Sequence, residues 1–82
     1  MLSRHDASMA SWFPEQYDRL RLRLIDARRQ ARLSQVQVAA SLDVPQQHVS
    51  RVETGDRRID PAELQAFARL YAVPVSDLLD DE

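Results

Sequence analysis

Residues 34–53 read SQVQVAASLDVPQQHVSRVE, and the fold is decided in this stretch. Ser34 opens a capping box, because its hydroxyl can accept a hydrogen bond from the third helical amide while the glutamine three residues later reaches back. Pro45 interrupts the pattern, since a proline disfavours a helical conformation for the residue before it. The stretch therefore predicts two short helices, at about 35–42 and 46–54, joined by a three-residue turn.

The second of these helices has two different faces. Val49 and Val52 fall on the side that would face a core. The opposite side carries amide, hydroxyl and guanidinium groups, contributed by Gln46, Gln47, Ser50 and Arg51. Gly55 is the only glycine of the chain and follows the pattern where a left-handed helix cap is favourable.

The residues before this stretch predict a longer helix. Phe13-Pro14-Glu15 is typical of a helix start, because proline is tolerated at the first helical position and an acid in the first turn suits the helix dipole. From there apolar residues recur at three- and four-residue spacing, which predicts one buried stripe. The stripe consists of Tyr17, Leu20, Leu24, Ala27 and Ala31. The helix is expected at about 14–31.

The residues after the stretch predict a fourth helix and a short fifth one. Asp60-Pro61-Ala62-Glu63 is a second capping box with proline at the first helical position. The buried stripe of the fourth helix would consist of Leu64, Phe67, Ala68 and Tyr71. Val73-Pro74-Val75 breaks this helix, and Ser76 is expected to cap a last turn that runs through Leu79.

The composition favours one folded helical domain. The chain has 82 residues and no cysteine, so it is too short for two separate cores and has neither disulfides nor thiolate metal sites. We expect a loose N-terminal extension at 1–13, a domain at 14–79 and an acidic tail at 80–82. Charged residues among the first ten argue against a signal peptide, so a cytoplasmic protein is expected.

The charge is distributed unevenly along the chain. The net charge is −2, which by itself argues against nucleic acid as a partner. Between Arg19 and Arg58, however, nine arginines stand against four acids, whereas residues 59–82 hold one arginine and six acids. Every basic side chain except histidine is an arginine, whose planar group suits phosphates and guanine edges.

Two short helices joined by a three-residue turn, the second with amide and guanidinium groups outside, have the layout of a helix-turn-helix. The residues that stand in one register with a known family are Leu33-Ser34-Gln35, Val38-Ala39, Leu42, Val44, Val49-Ser50-Arg51-Val52-Glu53, Gly55, Arg57-Arg58 and Leu64. In this register residues 20–79 resemble the Cro/C1-type, or XRE-family, helix-turn-helix domains of phage repressors and bacterial regulators. The resemblance implies an all-α, five-helix, lambda-repressor-like domain whose third helix enters the major groove of DNA.

The resemblance also implies contacts with double-stranded DNA. The groove-facing set would be Gln46, Gln47, Ser50 and Arg51. Their chemistry agrees, because glutamine can bond adenine, and arginine guanine, through two hydrogen bonds each. Gln35, with Ser34 beside it, would contact a phosphate, and Arg57 and Arg58 suit backbone phosphates. For each of these side chains the alternative is an ordinary solvated surface residue.

The resemblance implies a structural ion pair as well. Family members commonly join the first helix to the end of the third by an ion pair, and Arg28 and Glu53 occupy those positions. Two residues depart from the family pattern: Pro45 stands where Ser or Thr usually caps the third helix, and Asp43 stands where Gly usually ends the second. Aspartate can adopt the left-handed conformation at modest cost, so the departures concern the aim of Gln46 rather than the fold.

A homodimer is expected, because one module of this size contacts too few base pairs to find a single operator in a genome. The fourth helix and the segment 73–79 offer more apolar surface than one small core needs. The candidate interface residues are Phe67, Tyr71, Val75, Leu78 and Leu79. The alternative use of these side chains is to cover the first helix.

No residue pattern indicates an enzyme, a cofactor or a metal site. The chain has no nucleophile beside a base, no phosphate-binding glycine loop and no paired carboxylates in a plausible cleft. His48 has no further ligands at metal spacing, and we expect it at the edge of the groove. Neither a membrane nor a small-molecule ligand is expected as a partner.

The expected function is that of a repressor or autoregulator acting on operator DNA. The length is shared by phage repressors, antitoxin-type autoregulators and the controller proteins of restriction-modification systems, and these remain open. The alternative is a protein-interaction adaptor that keeps the fold without binding DNA, which the net charge of −2 would favour.

Overall fold

The fold is all-α, as predicted. The computed structural model describes the backbone of residues 2–79 and the side chains of residues 15–79. Its helices are α1 (Leu2–Gln30), α2 (Gln35–Leu42), α3 (Gln46–Thr54), α4 (Pro61–Tyr71) and α5 (Val75–Leu79). Within residues 2–79 there is no strand, and no helix there is long and apolar enough to cross a membrane. The tail at 80–82 lies outside the described residues, and the expected limits at 13/14 and 79/80 stay predictions.

Both capping boxes form as the sequence predicts. Ser34 Oγ accepts a hydrogen bond from the backbone N–H of Gln37 at 3.0 Å, and Gln37 Oε1 accepts from the N–H of Ser34 at 2.8 Å. Asp60 and Glu63 make the same two hydrogen bonds at the start of α4, at 2.8 and 3.3 Å. Each box satisfies two amides that a helix start leaves unpaired, so the starts of α2 and α4 are set locally.

The ends of α2 and α3 are left-handed residues. Asp43 has φ 58°, the conformation in which the family usually has glycine, and Gly55 has φ 90°. A side chain at Gly55 would be crowded as well as strained, because a β-carbon there would lie 3.3 Å from Arg21 Nε. Pro45 precedes α3 in an extended conformation without a side-chain cap. The predicted limits of both helices are therefore confirmed.

Two other helix starts differ from the prediction. α1 begins at Leu2 rather than at Pro14. Proline is favourable in the first turn of a helix, and in a helix interior it is costly but tolerated. Pro14 is therefore compatible with a helix that starts at Pro14 and with one that starts at Leu2. α5 begins at Val75, and the N–H of Asp77 donates to the carbonyl of Pro74 at 3.0 Å. Ser76 is therefore inside this short helix and does not cap it.

One core joins all five helices. The largest fully buried side chains are Leu24 of α1, Val38 of α2, and Val49 and Val52 of α3. α4 and α5 contribute the core residues Leu64, Phe67, Ala68, Tyr71 and Leu78. Since burying a valine or leucine contributes about 1.5–3 kcal/mol, the two α3 valines hold one face of that helix inward. The opposite face of α3 is thereby turned to solvent.

Tyr71 is the exception among the core side chains because it carries a polar group. The residue is 3% exposed, and its hydroxyl has no hydrogen-bond partner among the described residues. Burial raises the pKa of this hydroxyl. An unpaired buried hydroxyl costs about 1–3 kcal/mol.

Tyr71→Phe is therefore expected to leave the free energy of unfolding unchanged or to raise it by about 1 kcal/mol. The substitution removes the hydroxyl and keeps the ring, whose centroid lies 5.8 Å from that of Phe67. Urea-induced unfolding followed by circular dichroism measures the change. A loss of more than about 1 kcal/mol would show that the hydroxyl has a stabilising partner.

Candidate nucleic-acid interface

The outward face of α3 carries the side chains predicted to contact bases. Gln46, Gln47 and Arg51 are exposed, and Ser50 is half-buried. The buried valines of the same helix fix this orientation. The four side chains therefore lie on one solvent-facing surface, where amide and guanidinium groups can form paired hydrogen bonds with base edges.

Gln46 is linked to the domain interior through a chain of hydrogen bonds. Its Nε2 donates to Gln35 Oε1 at 3.2 Å, and Gln35 Nε2 donates to Glu53 Oε1 at 2.9 Å. Pro45 supplies no capping oxygen for α3. The side chain of Gln46, the first residue of α3, is instead held by Gln35, the first residue of α2. The aim of Gln46 is thus set by Gln35.

Arg28 and Glu53 meet in a two-pronged ion pair between α1 and α3. Arg28 Nε donates to Glu53 Oε2 at 2.7 Å, and its Nη2 donates to Oε1 at 3.1 Å. The side chains are 13% and 6% exposed, so water screens the pair little. These hydrogen bonds raise the pKa of the Arg28 guanidinium. Arg28 Nη1 also donates to the carbonyl of Leu33, at 2.9 Å, and so ties the loop before α2 to α1.

The start of α2 presents hydrogen-bond donors for an anion. Ser34 and Gln35 lie here, Ser34 exposed and Gln35 half-buried. An amide NH₂ has two hydrogens; Glu53 accepts one from Gln35, which leaves the second for a further acceptor. The helix dipole adds positive potential at the same point. The arrangement suits a phosphate oxygen, in line with the roles expected of these two residues.

Arg57 and Arg58, the loop residues expected at phosphates, have different surroundings. Arg57 Nη2 donates to Glu63 Oε2 at 3.4 Å, so a carboxylate partly neutralises it. Arg58 lies over the ring of Tyr17, 4.7 Å from its centroid, and Tyr17 donates its hydroxyl hydrogen to the carbonyl of Arg57 at 2.7 Å. Arg58 is therefore better placed than Arg57 to offer a full positive charge.

His48 faces α4 and not the groove edge where we expected it. Its Nε2 lies 3.0 Å from Glu63 Oε2, and Arg57 Nε donates a hydrogen bond to the same nitrogen at 3.2 Å. Apolar residues of α2 and α4 line the cleft around the imidazole. The expectation for His48 was wrong, because this residue lies four positions before the buried Val52 and therefore on the same side of α3.

Two supporting contacts, made by Arg21 and Tyr17, have no signal in the local sequence. Arg21 Nη1 donates to the carbonyl of Glu53 at 3.1 Å, near the C-terminal end of α3, where a cation is favourable. Tyr17 anchors the loop after α3 as described above. These partners are 32 and 40 residues apart, so helix periodicity and capping patterns do not reveal them.

Three of the five residues proposed for a dimer interface belong to the core of the domain. Phe67, Tyr71 and Leu78 are buried in the same core as Leu24 of α1. Val75 is half-buried and Leu79 is exposed. The surface that these five residues can offer to a second copy is thus reduced to Val75 and Leu79.

Among residues 15–79 no group of three or more His, Asp or Glu side chains could hold a metal ion. The polar clusters described above are instead joined by hydrogen bonds between cationic, anionic and amide groups. Such a surface is suited to recognising hydrogen-bonding patterns and charge.

A comparison with protein families agrees with this geometry. The family model described as Helix-turn-helix matches residues 24–78, which is more than half of the chain. The chain belongs to the Cro/C1-type helix-turn-helix family. The matched segment of this helix-turn-helix domain starts at Leu24 and ends at Leu78, both of which are buried in the core. Neither the comparison with curated proteins nor that with solved structures finds a match.

Membership of the Cro/C1-type helix-turn-helix family implies DNA binding. The family is typically non-enzymatic. In a helix-turn-helix the second helix of the motif is the one that enters the major groove. In this domain that helix is α3, whose outward face carries the polar row described above.

Proposed function

We propose that the protein is a sequence-specific transcriptional regulator that binds operator DNA as a homodimer in the cytoplasm. The observation that carries the proposal is the outward face of α3, where exposed Gln46, Gln47 and Arg51 lie beside the donors at the start of α2. Hydrogen bonds to base edges would come from α3, and contacts that set its register would come from Ser34, Gln35 and Arg58. Arg57 would also contact a phosphate if that phosphate replaced Glu63 as its partner.

The roles of the α3 side chains follow from their chemistry and support. Gln47 and Arg51 are exposed on the helix that enters the groove, so they would read an adenine and a guanine or a neighbouring phosphate. Gln46 is already oriented by Gln35, so it would lose less conformational freedom on binding DNA. Ser50, half-buried between them, would accept or donate at either base.

A homodimer is proposed because one such domain reads too few base pairs for a unique site. A two-fold dimer would place two copies of α3 in successive major grooves on one side of the duplex. Val75 and Leu79 are the members of the expected interface that remain at the surface. We therefore place the contact between copies around α5.

Sequences selected from random DNA are expected to contain two inverted half-sites about 34 Å apart. On such an operator, Gln47→Ala should lose about 1–3 kcal/mol of binding free energy, and the preference should relax at one adenine only. Binding to the operator and to its single-base variants at fixed salt measures both effects. Gln65→Ala is the matched control, because Gln65 is an exposed glutamine on α4.

Three outcomes would contradict parts of the proposal. Selected sites without inverted repeats would exclude the dimer. Equal weakening of every sequence by Gln46→Ala and Gln47→Ala, or no weakening at all, would show that α3 does not read bases. Phosphate contacts strengthen binding to nonspecific duplex DNA steeply as the salt concentration falls. If the protein does not bind such DNA even at low salt, the protein-interaction adaptor would be favoured instead.

A further inference from the structure

One ring nitrogen of His48 lies between two groups that make opposite demands on it. Arg57 Nε donates a hydrogen bond to His48 Nε2 at 3.2 Å, which requires a nitrogen with a free lone pair. Glu63 Oε2 lies 3.0 Å from the same nitrogen, which favours a nitrogen that carries a hydrogen. A ring nitrogen is either a donor or an acceptor, according to its protonation, and cannot meet both demands at once. The contacts of His48 therefore depend on a proton.

Glu63 Oε2 is the acceptor for which the two side chains compete. Arg57 Nη2 reaches this oxygen at 3.4 Å, which is long for a hydrogen bond between charged groups, since these typically measure about 2.7–2.9 Å. His48 Nε2 is nearer to it, at 3.0 Å. The other oxygen, Glu63 Oε1, accepts from the N–H of Asp60 in the capping box and so holds the carboxylate in place. A hydrogen on His48 Nε2 would therefore displace Arg57 from Oε2.

The other surroundings of His48 are mostly apolar. Besides Glu63, the cleft around the imidazole is lined by residues of α2, of the turn after it and of α4, namely Leu42, Val44, Ala66 and Phe67. On α3 itself, the charged residue one turn further on is Arg51, which is exposed. Within residues 15–79, the charged partners in contact with the imidazole are thus Glu63 from α4 and Arg57 from the loop after α3.

The side chain of Arg57 can move while its backbone stays in place. The carbonyl of Arg57 accepts from the Tyr17 hydroxyl at 2.7 Å, and its N–H donates to the carbonyl of Arg51 at 3.0 Å. The side chain is 47% exposed. The contacts with His48 and Glu63 are thus what hold the guanidinium against α4.

We propose that His48 is a proton-controlled positioning residue for Arg57. While the imidazole is neutral, with its hydrogen on Nδ1, Nε2 holds Arg57 beside Glu63. When Nε2 gains a proton, the imidazolium pairs with Glu63 Oε2 and repels the guanidinium, which is released toward solvent. Histidine side chains change their charge between about pH 8 and pH 5, so the exchange is expected in this range.

The consequence for DNA binding rests on the proposed function, in which Arg57 contacts a phosphate once Glu63 no longer engages it. DNA then binds better to the protein with a protonated His48, so affinity rises as the pH falls. Phosphate contacts carry no sequence information, so the gain applies to DNA of any sequence and leaves base preference unchanged. His48 acts through Arg57 and not by contact with DNA.

The exchange itself is tested without DNA. The ¹⁵N chemical shifts of the His48 ring and of Arg57 Nε are recorded by NMR on the full chain, between about pH 8 and about pH 5. At the upper end the ring is expected to carry its hydrogen on Nδ1, and Arg57 Nε is expected to shift with the same midpoint as His48. Arg58 Nε is the matched control, because Arg58 is the next residue of the loop and lies over the ring of Tyr17 instead. In His48→Gln the step at Arg57 should disappear.

Several results would overturn the inference. A neutral ring with its hydrogen on Nε2 could not accept from Arg57. A titration of His48 that leaves Arg57 Nε unchanged, or that shifts Arg58 Nε equally, would show that the guanidinium is not released. The same holds if His48 does not titrate in this range. A step at Arg57 that persists in His48→Gln would assign it to another group.

A second measurement tests the effect on DNA. Binding to a nonspecific duplex is compared at the two ends of the pH range and at fixed salt for the unchanged chain, His48→Gln, Arg57→Ala and Arg58→Ala. The unchanged chain is expected to bind about two- to fivefold more tightly at the lower pH, as for one exposed ion pair gained. Arg58→Ala should keep this gain, whereas His48→Gln and Arg57→Ala should lose most of it. His5 is present in every variant, so its protonation does not distinguish them.

The variants also separate the inference from its alternatives. An equal gain in Arg57→Ala would show that the charge of the imidazolium itself, and not the release of Arg57, acts on DNA, and would contradict the inference. If none of the four proteins binds DNA at either pH, the proposed function fails, whereas the NMR comparison still decides the exchange between His48 and Arg57.

Discussion

Arg28→Ala is expected to lower the free energy of unfolding by about 3–5 kcal/mol. The reason is the position of its partner: Glu53 is 5% exposed, so the substitution leaves a carboxylate buried without its cation. Arg28 also holds the carbonyl of Leu33, and this hydrogen bond is lost at the same time. The total free energy of unfolding of a native protein is only about 5–15 kcal/mol, so this substitution is expected to remove a large part of it. Urea-induced unfolding of the variant measures the loss.

Arg29→Ala is the matched control for this prediction. Arg29 is the next residue of α1 and is exposed, so its removal should change stability by less than about 0.5 kcal/mol. If Arg28→Ala also costs less than about 0.5 kcal/mol, the ion pair is not shielded from water. Replacing both partners by apolar residues, as in Arg28→Met with Glu53→Leu, should recover part of the loss because no unpaired charge remains.

Leu24→Ala is expected to destabilise the domain by about 2–5 kcal/mol. Leu24 is 1% exposed and belongs to the same core as the valines of α3. Truncation removes apolar contacts and leaves a cavity that tightly packed neighbours fill only in part. The free energy of unfolding, obtained from urea melts at two protein concentrations, measures the effect and separates it from any change in association.

Leu22→Ala removes the same side-chain atoms from the same helix and serves as the control. Leu22 is 54% exposed, so its truncation should cost less than about 0.5 kcal/mol. Similar losses for Leu22→Ala and Leu24→Ala would contradict the packing of α1 described above. A large loss for Leu22→Ala alone would instead indicate that another molecule covers this face of α1.

Stability and the candidate site are linked through Glu53. Its carboxylate accepts from Arg28 on one side and from Gln35 on the other, and Gln35 in turn accepts from Gln46. Removing this carboxylate, as in Glu53→Gln, is therefore expected to weaken the pairing with Arg28 and to disturb the aim of Gln46 at the same time. The network connects the core of the domain to the surface proposed to read bases.

The parts of the fold that depend on nearest neighbours could be predicted from the sequence. The limits of α2 and α3 and the start of α4 follow from capping boxes at Ser34 and Asp60 and from left-handed caps at Asp43 and Gly55. Each of these devices satisfies backbone groups within four residues, so its outcome depends little on the rest of the molecule. The inward stripe of α4 was predictable for the same reason, because helical periodicity is local.

Part of the candidate site was also accessible from the sequence. The outward position of Gln46, Gln47 and Arg51 follows from the spacing of two valines along one helix, and the structure has these side chains exposed. The positions of Arg28 and Glu53 came from the family resemblance and not from spacing, since 25 residues separate them. The contacts of Gln46, Gln47 and Arg51 with bases or phosphates remain a prediction.

Only the tertiary structure decided what each side chain does after the helices pack. Phe67, Tyr71 and Leu78 were expected at a dimer interface, with a place in the core as the alternative, and the structure has them buried in the core with Leu24 of α1. His48 was expected at the edge of the groove, but it lies 3.0 Å from Glu63 of α4. Glu63 also pairs with Arg57, whose expected contact with a phosphate stays a prediction. The first helix was expected to start at Pro14 but begins at Leu2, because a proline is compatible both with a helix start and, at a cost, with a helix interior. The physical reason is common to all of these cases: local sequence sets which backbone groups are satisfied, whereas burial and charge pairing depend on residues that are distant along the chain and become neighbours only in the fold.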